Sequence, residues 1–211
     1  MTLNVTHNKY TGKVLDKFTS SQELWDAFKL GSKEAYAKIY EEHLDALYDY
    51  GMHILNNPGF IEDCIHDLYV GLWKNKENLG NPESVKGYLL TSMRRIIFRK
   101  VKKERKYTSL PDNSFMPEGL PEIGGEDNLT KNSINTGNQL RLKRALTALT
   151  KRQREAIYLR FYHNLDSAEV ASVMSISLEG VYNHISKGVG RLKDLLKHST
   201  VAIFAIIHHL I

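Results

Sequence analysis

The sequence predicts an all-α protein built as two helical domains joined by a flexible acidic linker. Three observations carry this. Apolar residues recur at three-and-four spacing over two long stretches, which sets them on one face of successive helices. No window shows sustained apolar–polar alternation, so no sheet is expected. Between the two stretches lies a segment rich in proline, glycine and acidic residues that buries too little apolar surface to offset its ordering entropy.

Taken in order, residues 1–20 read as an N-terminal extension and 21–106 as the first domain. Ser20 with Glu23 has capping-box spacing for an opening helix. Tyr36, Ile39, Tyr40, Leu44, Leu47 and Tyr48 form a first apolar stripe, ended by Asn57-Pro58-Gly59. Ile61, Cys64, Ile65, Leu68 and Leu72 form a second stripe, ended by Leu79 to Pro82. Val85, Leu89, Met93, Ile96 and Ile97 form a third. Three helices with short connections make a compact bundle. Residues 107–138 are the linker: Pro111, Pro117, Pro121 and four glycines, with Asp112, Glu118, Glu122, Glu126 and Asp127 against Lys131.

Residues 139–198 are the second domain. Thr150 with Gln153 is a second capping-box pair, and Ala156, Ile157, Leu159 and Phe161 supply apolar surface. Asn164-Leu165 turns the chain, and Asp166 with Glu169 caps a short helix ending near Met174. Ser177 is the natural N-cap of a longer helix. Gly188-Val189-Gly190 interrupts that helical pattern and follows no strand, so it is no dinucleotide loop. Residues 199–211 form an apolar tail.

With 211 residues the chain buries one ordinary core or two small ones. Cys64 is the single cysteine, which excludes an internal disulfide and fits a reducing compartment. The start of the chain lacks the apolar run of a signal peptide. Val201 to Ile207 reaches about 10 Å as a helix, against roughly 30 Å of bilayer core, so no membrane span and a cytoplasmic location are expected.

A net charge of +5 and a pI near 9.1 favour an anionic partner, and the charge is concentrated. Lys86, Arg94, Arg95, Arg99, Lys100, Lys102, Lys103, Arg105 and Lys106 face only Glu104. Arg95, Arg99, Lys102 and Lys106 share one helical face opposite Met93 and Ile97. Like charges so spaced repel unless an anion lies across them. That face reads either as a solvated basic surface or as a phosphate-tracking one. In the second reading Tyr88 and Phe98 are rings for unstacked bases.

The segment DSAEVASVMSISLEGVYNHISKGVGRLKDLL has the pattern of a helix-turn-helix. Val170, Ala171 and Met174 lie on the first helix, with Ile176, Val181, Ile185 and Leu192 facing the core. Glu179, Gly180, Asn183, His184 and Lys187 are left on the outer face, where a recognition helix meets base edges. Asn bonds adenine bidentately, and Lys or His donates to guanine acceptors. A helical hairpin within an ordinary bundle has a similar pattern.

Glu62, Asp63, His66 and Asp67 form an acidic polar face whose spacing suits a solvated or protein-docking surface better than a metal. No metal or cofactor is implied, and no Ser-His-Asp or phosphate-loop signature points to an enzyme.

These motifs together resemble the extracytoplasmic-function (ECF) group of the sigma-70 family, particularly its Bacteroidetes-like versions. GSKEAYAKIYEEHLDALYDYGMHIL and FIEDCIHDLYVGLW resemble sigma domain two and its polymerase-docking helix. SVKGYLLTSMRRIIFRKVKK resembles the helix that melts the promoter and reads the minus-ten element. LKRALTALTKRQREAIYLRFYHNLDSAEVASVMSISLEGVYNHISKGVGRL resembles sigma domain four, which reads the minus-thirty-five element.

The resemblance implies that Glu62, Asp63, His66 and Asp67 dock on core RNA polymerase. It implies minus-ten contacts from Tyr88, Arg94, Arg95, Phe98, Arg99, Lys102 and Lys103. Upstream contacts would come from Ser177, Glu179, Gly180, Asn183, His184, Lys187 and Arg191. Implied partners are core RNA polymerase and promoter DNA, with an anti-sigma factor as a further candidate. The chain departs from the family pattern in places. Tyr88 replaces the usual tryptophan, and Arg95 and Arg99 stand where Asn and Asp are common. Thr150 replaces a proline, Ser175 a turn glycine and Gly180 a threonine.

Two other functions compete. One is a helix-turn-helix regulator that does not bind polymerase core, which leaves the first domain and its acidic face without a role. The other, suggested by the tail, is a membrane-tethered signalling or anti-sigma protein. The apolar tail is expected to pack against the chain's own domains, against a partner or second copy, or to complete the second domain's core.

Overall fold

The structure, a computed structural model, describes residues 18, 20–108, 142 and 144–196. The linker, most of the N-terminal extension and the tail beyond residue 196 lie outside the described residues, as do the expectations placed on them. Within the described residues every regular element is helical, as the apolar periodicity predicts.

The N-terminal half has four principal helices rather than the three read from the sequence: α1 (Ser21–Lys29), α2 (Lys33–Ile54), α3 (Pro58–Asn75) and α4 (Val85–Thr108). The missed break lies at Gly31. Its φ of +92° is the left-handed conformation that glycine adopts without strain. The Gly31 N–H donates to the Phe28 carbonyl and the Ser32 N–H to the Ala27 carbonyl, a Schellman stop for α1. Ser32 then opens α2 by accepting from the Ala35 N–H. Ser20 caps α1 through the Glu23 N–H, Asn57 caps α3 through Phe60, and Ser84 accepts from Gly87 at the start of α4.

Aromatic residues fill much of the first core. Trp25 is fully buried, stacks edge-on against Tyr88 at 5.5 Å, and donates its indole N–H to the Gly80 carbonyl. Burying such a ring contributes a large apolar area, and the bond satisfies its polar tip. Ile39, Leu47, Ile61, Cys64, Leu68, Leu89, Met93 and Ile97 complete the interior along the predicted stripes. Tyr40 belongs to the first stripe by spacing but is 38 % exposed. Burial pushes the Cys64 thiol up to about 11, which makes it a packing residue.

The C-terminal half begins with a helical turn over 144–147, followed by α5 (Lys151–Ile157), α6 (Ser167–Met174) and α7 (Leu178–Leu196). The capping boxes read from Thr150/Gln153 and Asp166/Glu169 both form, each with its two reciprocal bonds. After Ile157 the coil widens into one π-helical turn, Tyr158–Tyr162. Asn164 and Ser175 both take positive φ, at 54° and 53°. They turn the chain into α6 and from α6 toward α7.

The glycines at 188 and 190 do not interrupt α7, which runs unbroken. Gly188 is buried where α7 crosses α5, and a Cβ there would stand 2.7 Å from Ile157 Cδ1. The glycine is therefore a close-approach residue, and packing overrides its low helix propensity.

The two halves are not independent cores. One continuous apolar interior runs from Trp25, Leu47 and Met93 to Ala156, Leu159, Leu165, Val170 and Met174. A smaller cluster, Ala145, Leu149, Ile157, Leu192 and Leu196, anchors the end of α7.

Ser175 carries a side chain at a left-handed turn position, a conformation that costs a non-glycine residue roughly 1–2 kcal/mol. Ser175→Gly is expected to raise stability by about 1 kcal/mol, because glycine's greater unfolded-state freedom offsets part of the relief. Urea denaturation of the two chains measures it, and a lower midpoint for the glycine variant would contradict the strain.

Candidate nucleic-acid interface

Helix α4 presents part of the predicted basic face to solvent. Arg95, Arg99, Lys102 and Lys103 are exposed, while Met93 and Ile97 on the opposite side are buried. The side chain of Lys106 lies outside the described residues. Lys100 turns instead toward α3, where its ammonium lies 2.8 Å from Asp67 and donates to the Asp63 carbonyl. That bond holds the Asp67 carboxyl below its ordinary range.

Three of the sequence-predicted minus-ten residues sit differently. Tyr88 is partly buried against Trp25 and serves the first core. Phe98 is half-buried, with the Arg94 guanidinium over its ring at 4.5 Å. Arg94 is not on the exposed face at all. It points into the seam between the halves, where its Nε donates to Glu155 Oε1 at 2.8 Å.

The helix-turn-helix segment divides into an inward and an outward side. Val181 and Leu192 are buried, with Ile176 and Ile185 partly so. Ser177 accepts from the Gly180 N–H and starts α7. Glu179, Asn183, Lys187 and Arg191, spaced four apart, are exposed along one stripe, with Gly180 and His184 half-buried beside them. Sequence reasoning passed over Tyr182, which is 57 % exposed on the same outer surface. Its place, between a buried Val181 and an exposed Asn183, was the available signal.

The acidic face of α3 is also open: Glu62, Asp63, His66 and Asp67 are all exposed. The proposed docking surface and the basic face of α4 are thus neighbours, bridged by Lys100. Among the described residues no group of His, Cys, Asp and Glu is arranged to hold a metal ion. Nor, among them, is any helix long and apolar enough to cross a membrane.

The seam holds the strongest electrostatics. Glu155, 3 % exposed, also accepts from the Tyr50 hydroxyl at 3.0 Å, and its second oxygen lies 4.0 Å from Arg152. Burial opposes the charge on Arg94, but the bond to Glu155 outweighs it and holds the guanidinium above its ordinary range. Beside this pair His53 stacks on Tyr158 at 4.0 Å, and Tyr158 stacks on Tyr162. The Tyr162 hydroxyl donates to Asp49, and Lys86 donates to the His163 carbonyl at 2.6 Å. Sequence reasoning identified none of Tyr50, His53, Glu155 or His163, because each acquires its partner from the other half.

Two family models match the chain in order: Sigma-70 region 2 over residues 39–107, and Sigma-70, region 4 over residues 139–192. Together they span more than half of the chain. Among curated proteins it is similar to the ECF RNA polymerase sigma factor SigK of Mycolicibacterium vanbaalenii. The two are 24% identical over 164 residues, covering 77% of this chain and 82% of the relative. SigK of Mycobacterium tuberculosis is 21% identical over 163 residues, covering 77% and 86%. Two solved structures share the fold. One is the sigma factor RpoE in complex with the anti-sigma factor NepR from Bartonella quintana, with a TM-score of 0.57 at 20% identity, covering 78% of this chain and 98% of that one. The other is CnrH in complex with the cytosolic domain of CnrY, with a TM-score of 0.56 at 16% identity, covering 85% and 98%.

Fold and surface therefore define a transcription initiation factor with a DNA-binding helix-turn-helix in its C-terminal half. The chain belongs to the sigma-70 family, in its extracytoplasmic-function group. Sigma factors are initiation factors and not enzymes. The curated relatives named above are mycobacterial and lend no support to a Bacteroidetes-like subgroup.

The seam histidines give a pH signature. Burial pulls His53 down to about 4, with Glu155 opposing and Arg154 assisting. Burial, then Lys86 and His53, pulls His163 down to about 4 as well. Both are neutral when folded at pH 7, and the unfolded chain titrates near 6.5. Between those values the unfolded state binds more protons, so stability rises with pH there. The urea midpoint should be level above about pH 7 and fall as pH drops from about 6.5 to 4. His53 and His163 resonances that instead titrate near 6.5 in the folded chain would refute the assignment.

Proposed function

We propose that this chain binds core RNA polymerase through the α3 face and engages the melted minus-ten region with the exposed part of α4. It reads the upstream promoter element with α7 and so directs transcription initiation. The observation that carries this reading is the pairing, in one chain and in family order, of an exposed basic face on α4 with an exposed recognition stripe on α7. A helix-turn-helix regulator independent of polymerase accounts for the second surface and leaves the first unexplained. An anti-sigma partner is a further part of the proposal, supported by the complex of RpoE with NepR.

Each surface has its own chemistry. Arg95, Arg99, Lys102 and Lys103 supply the sequence-independent attraction to phosphates, which salt weakens by competing counter-ions. Asn183 and Lys187 carry groups that discriminate base edges in a major groove. Arg191, farther along the stripe, and the Ser177–Gly180 turn fit backbone contacts that fix register. Lys100 pairs with the Asp67 carboxylate and touches Asp63 only at its backbone carbonyl, so the side chains of Glu62, Asp63 and His66 form the part of the α3 face best placed to meet a basic partner surface.

Run-off transcription with core polymerase tests the whole reading: template-dependent product with this chain added, and none without it. Asn183→Ala or Lys187→Ala should cost about 1–3 kcal/mol of affinity on a cognate upstream element if the residue reads a base. The loss should be small on a scrambled element, and equal losses on both would reduce these residues to backbone contacts.

Charge reversal at Glu62 and Asp63 should weaken binding to core enzyme while helical content stays unchanged. Asp67 is left intact in that variant because its bond to Lys100 also ties α3 to α4. Core affinity that survives the reversal would move the docking face elsewhere.

A further inference from the structure

We infer that Leu178 and Tyr182 form an apolar reading pair on α7 that recognises thymine methyl groups in the major groove of the upstream promoter element. The inference rests on the reading of α7 as the recognition helix and adds which chemical feature of the bases it selects.

Most large apolar side chains of α7 are used inside the protein: Val181, Leu192 and Leu196 are buried, and Ile185 and Val189 partly so. Leu178 and Tyr182 are not. They are 45 % and 57 % exposed and belong to neither apolar cluster. Other large apolar residues exposed among the described ones, such as Leu30 and Tyr40, stand singly, which is ordinary for a surface. Leu178 and Tyr182 stand four residues apart, so they are neighbours on one helix face. They occupy the first two turns of α7, the end of a recognition helix that meets base edges.

The Ser177 hydroxyl oxygen accepts from the Gly180 N–H and fixes where the helix begins. Leu178 and Tyr182 each stand one residue before a member of the exposed polar stripe, Glu179 and Asn183. Successive residues turn by 100°, so the two stripes run side by side along the outer surface.

What such a pair can bind is narrow. It is continuous with the DNA-binding stripe, whose Lys187 and Arg191 attract a polyanion. Two side chains are too little for a stable protein interface, which buries about 800 Å² on each partner, whereas an aromatic ring supplies about 150–250 Å². In a duplex the base faces are stacked and the edges are open. Of the groups on the major-groove floor, the thymine C5 methyl is the apolar one, and it marks thymine against the other three bases. Four residues of helix advance about 6 Å, near two base-pair steps of about 3.4 Å. The pair therefore covers thymines, on either strand, within about two steps of one another. Asn183 and Lys187 read hydrogen-bonding edges while Leu178 and Tyr182 read methyls.

The test uses core RNA polymerase loaded with the full chain. Promoter duplexes randomised over the upstream element are selected for binding. The preferred sequence is then remade with single thymines replaced by uracil, which removes only the methyl. At one or two neighbouring positions uracil should weaken binding about fourfold, the value of one buried methyl. Leu178→Ala and Tyr182→Ala should each bind the thymine and uracil duplexes alike at one of those positions. Tyr182→Phe, which keeps the ring, should restore the discrimination lost in Tyr182→Ala.

Wild-type binding that is indifferent to uracil at every thymine overturns the inference, as does discrimination that survives in both alanine variants. The first comparison needs no variant, so a variant that fails to fold leaves it standing. A selection that returns no preferred upstream sequence overturns the reading of α7 and the inference with it. So does a preferred sequence whose binding is unchanged in both Asn183→Ala and Lys187→Ala. Sensitivity to those two variants without sensitivity to uracil overturns the inference alone.

Discussion

The arrangement of the molecule turns on a single buried carboxylate. Glu155 lies at the fifth position of α5, and the capping box at Thr150 fixes where that helix starts and hence which way Glu155 points. An ionised carboxylate in an apolar seam is tolerated only with charged and hydrogen-bonding partners, and the chain supplies them from three helices. Arg94 comes from α4, Tyr50 from α2, and Arg152 from the preceding turn of α5. The two bonds to Glu155 Oε1 tie the C-terminal half to the N-terminal one, while Oε2 is buried without a hydrogen-bond partner. The continuous apolar interior then closes around this carboxylate.

The π-helical turn that follows is part of the same solution. Tyr158 and Tyr162 are four residues apart and lie on one face of the turn, so their rings stack, with His53 on the other side of Tyr158. Neutral imidazoles pack against these rings without the desolvation cost of a cation, which is why burial lowers both histidines. The seam thus pairs Arg94 with Glu155 beside two histidines that burial keeps neutral.

The exposed surfaces follow from what the buried residues leave over. On α7, Val181, Gly188, Leu192 and Leu196 face inward, so Glu179, Asn183, Lys187 and Arg191 face outward. On α4, Met93 and Ile97 do the same for Arg95, Arg99 and Lys102. Helical periodicity is enough to generate both stripes once the core is formed. The seam is different, since the same α4 carries Arg94 toward a neighbour that the periodicity of α4 does not reveal.

Local sequence by itself determined the helical class, the capping boxes at Thr150 and Asp166, the turn at Asn164 and the outward stripes of α4 and α7. Each depends on residues within about one or two turns of one another, where spacing sets geometry. It failed where local pattern and tertiary packing pull apart. Gly31 gave a weak stop signal that the Schellman bonds made decisive. Gly188 reads as a helix breaker until α5 arrives within van der Waals distance. Tyr40 reads as core and stays exposed. Only the tertiary structure decided that Arg94, grouped by sequence with the other cations, is neutralised by Glu155 from 61 residues away. The physical reason is that a charge's partner is set by what is brought within a few ångströms. For a buried pair in a low-dielectric seam, that distance decides whether a cation is a solvated surface group or the fastening between two halves.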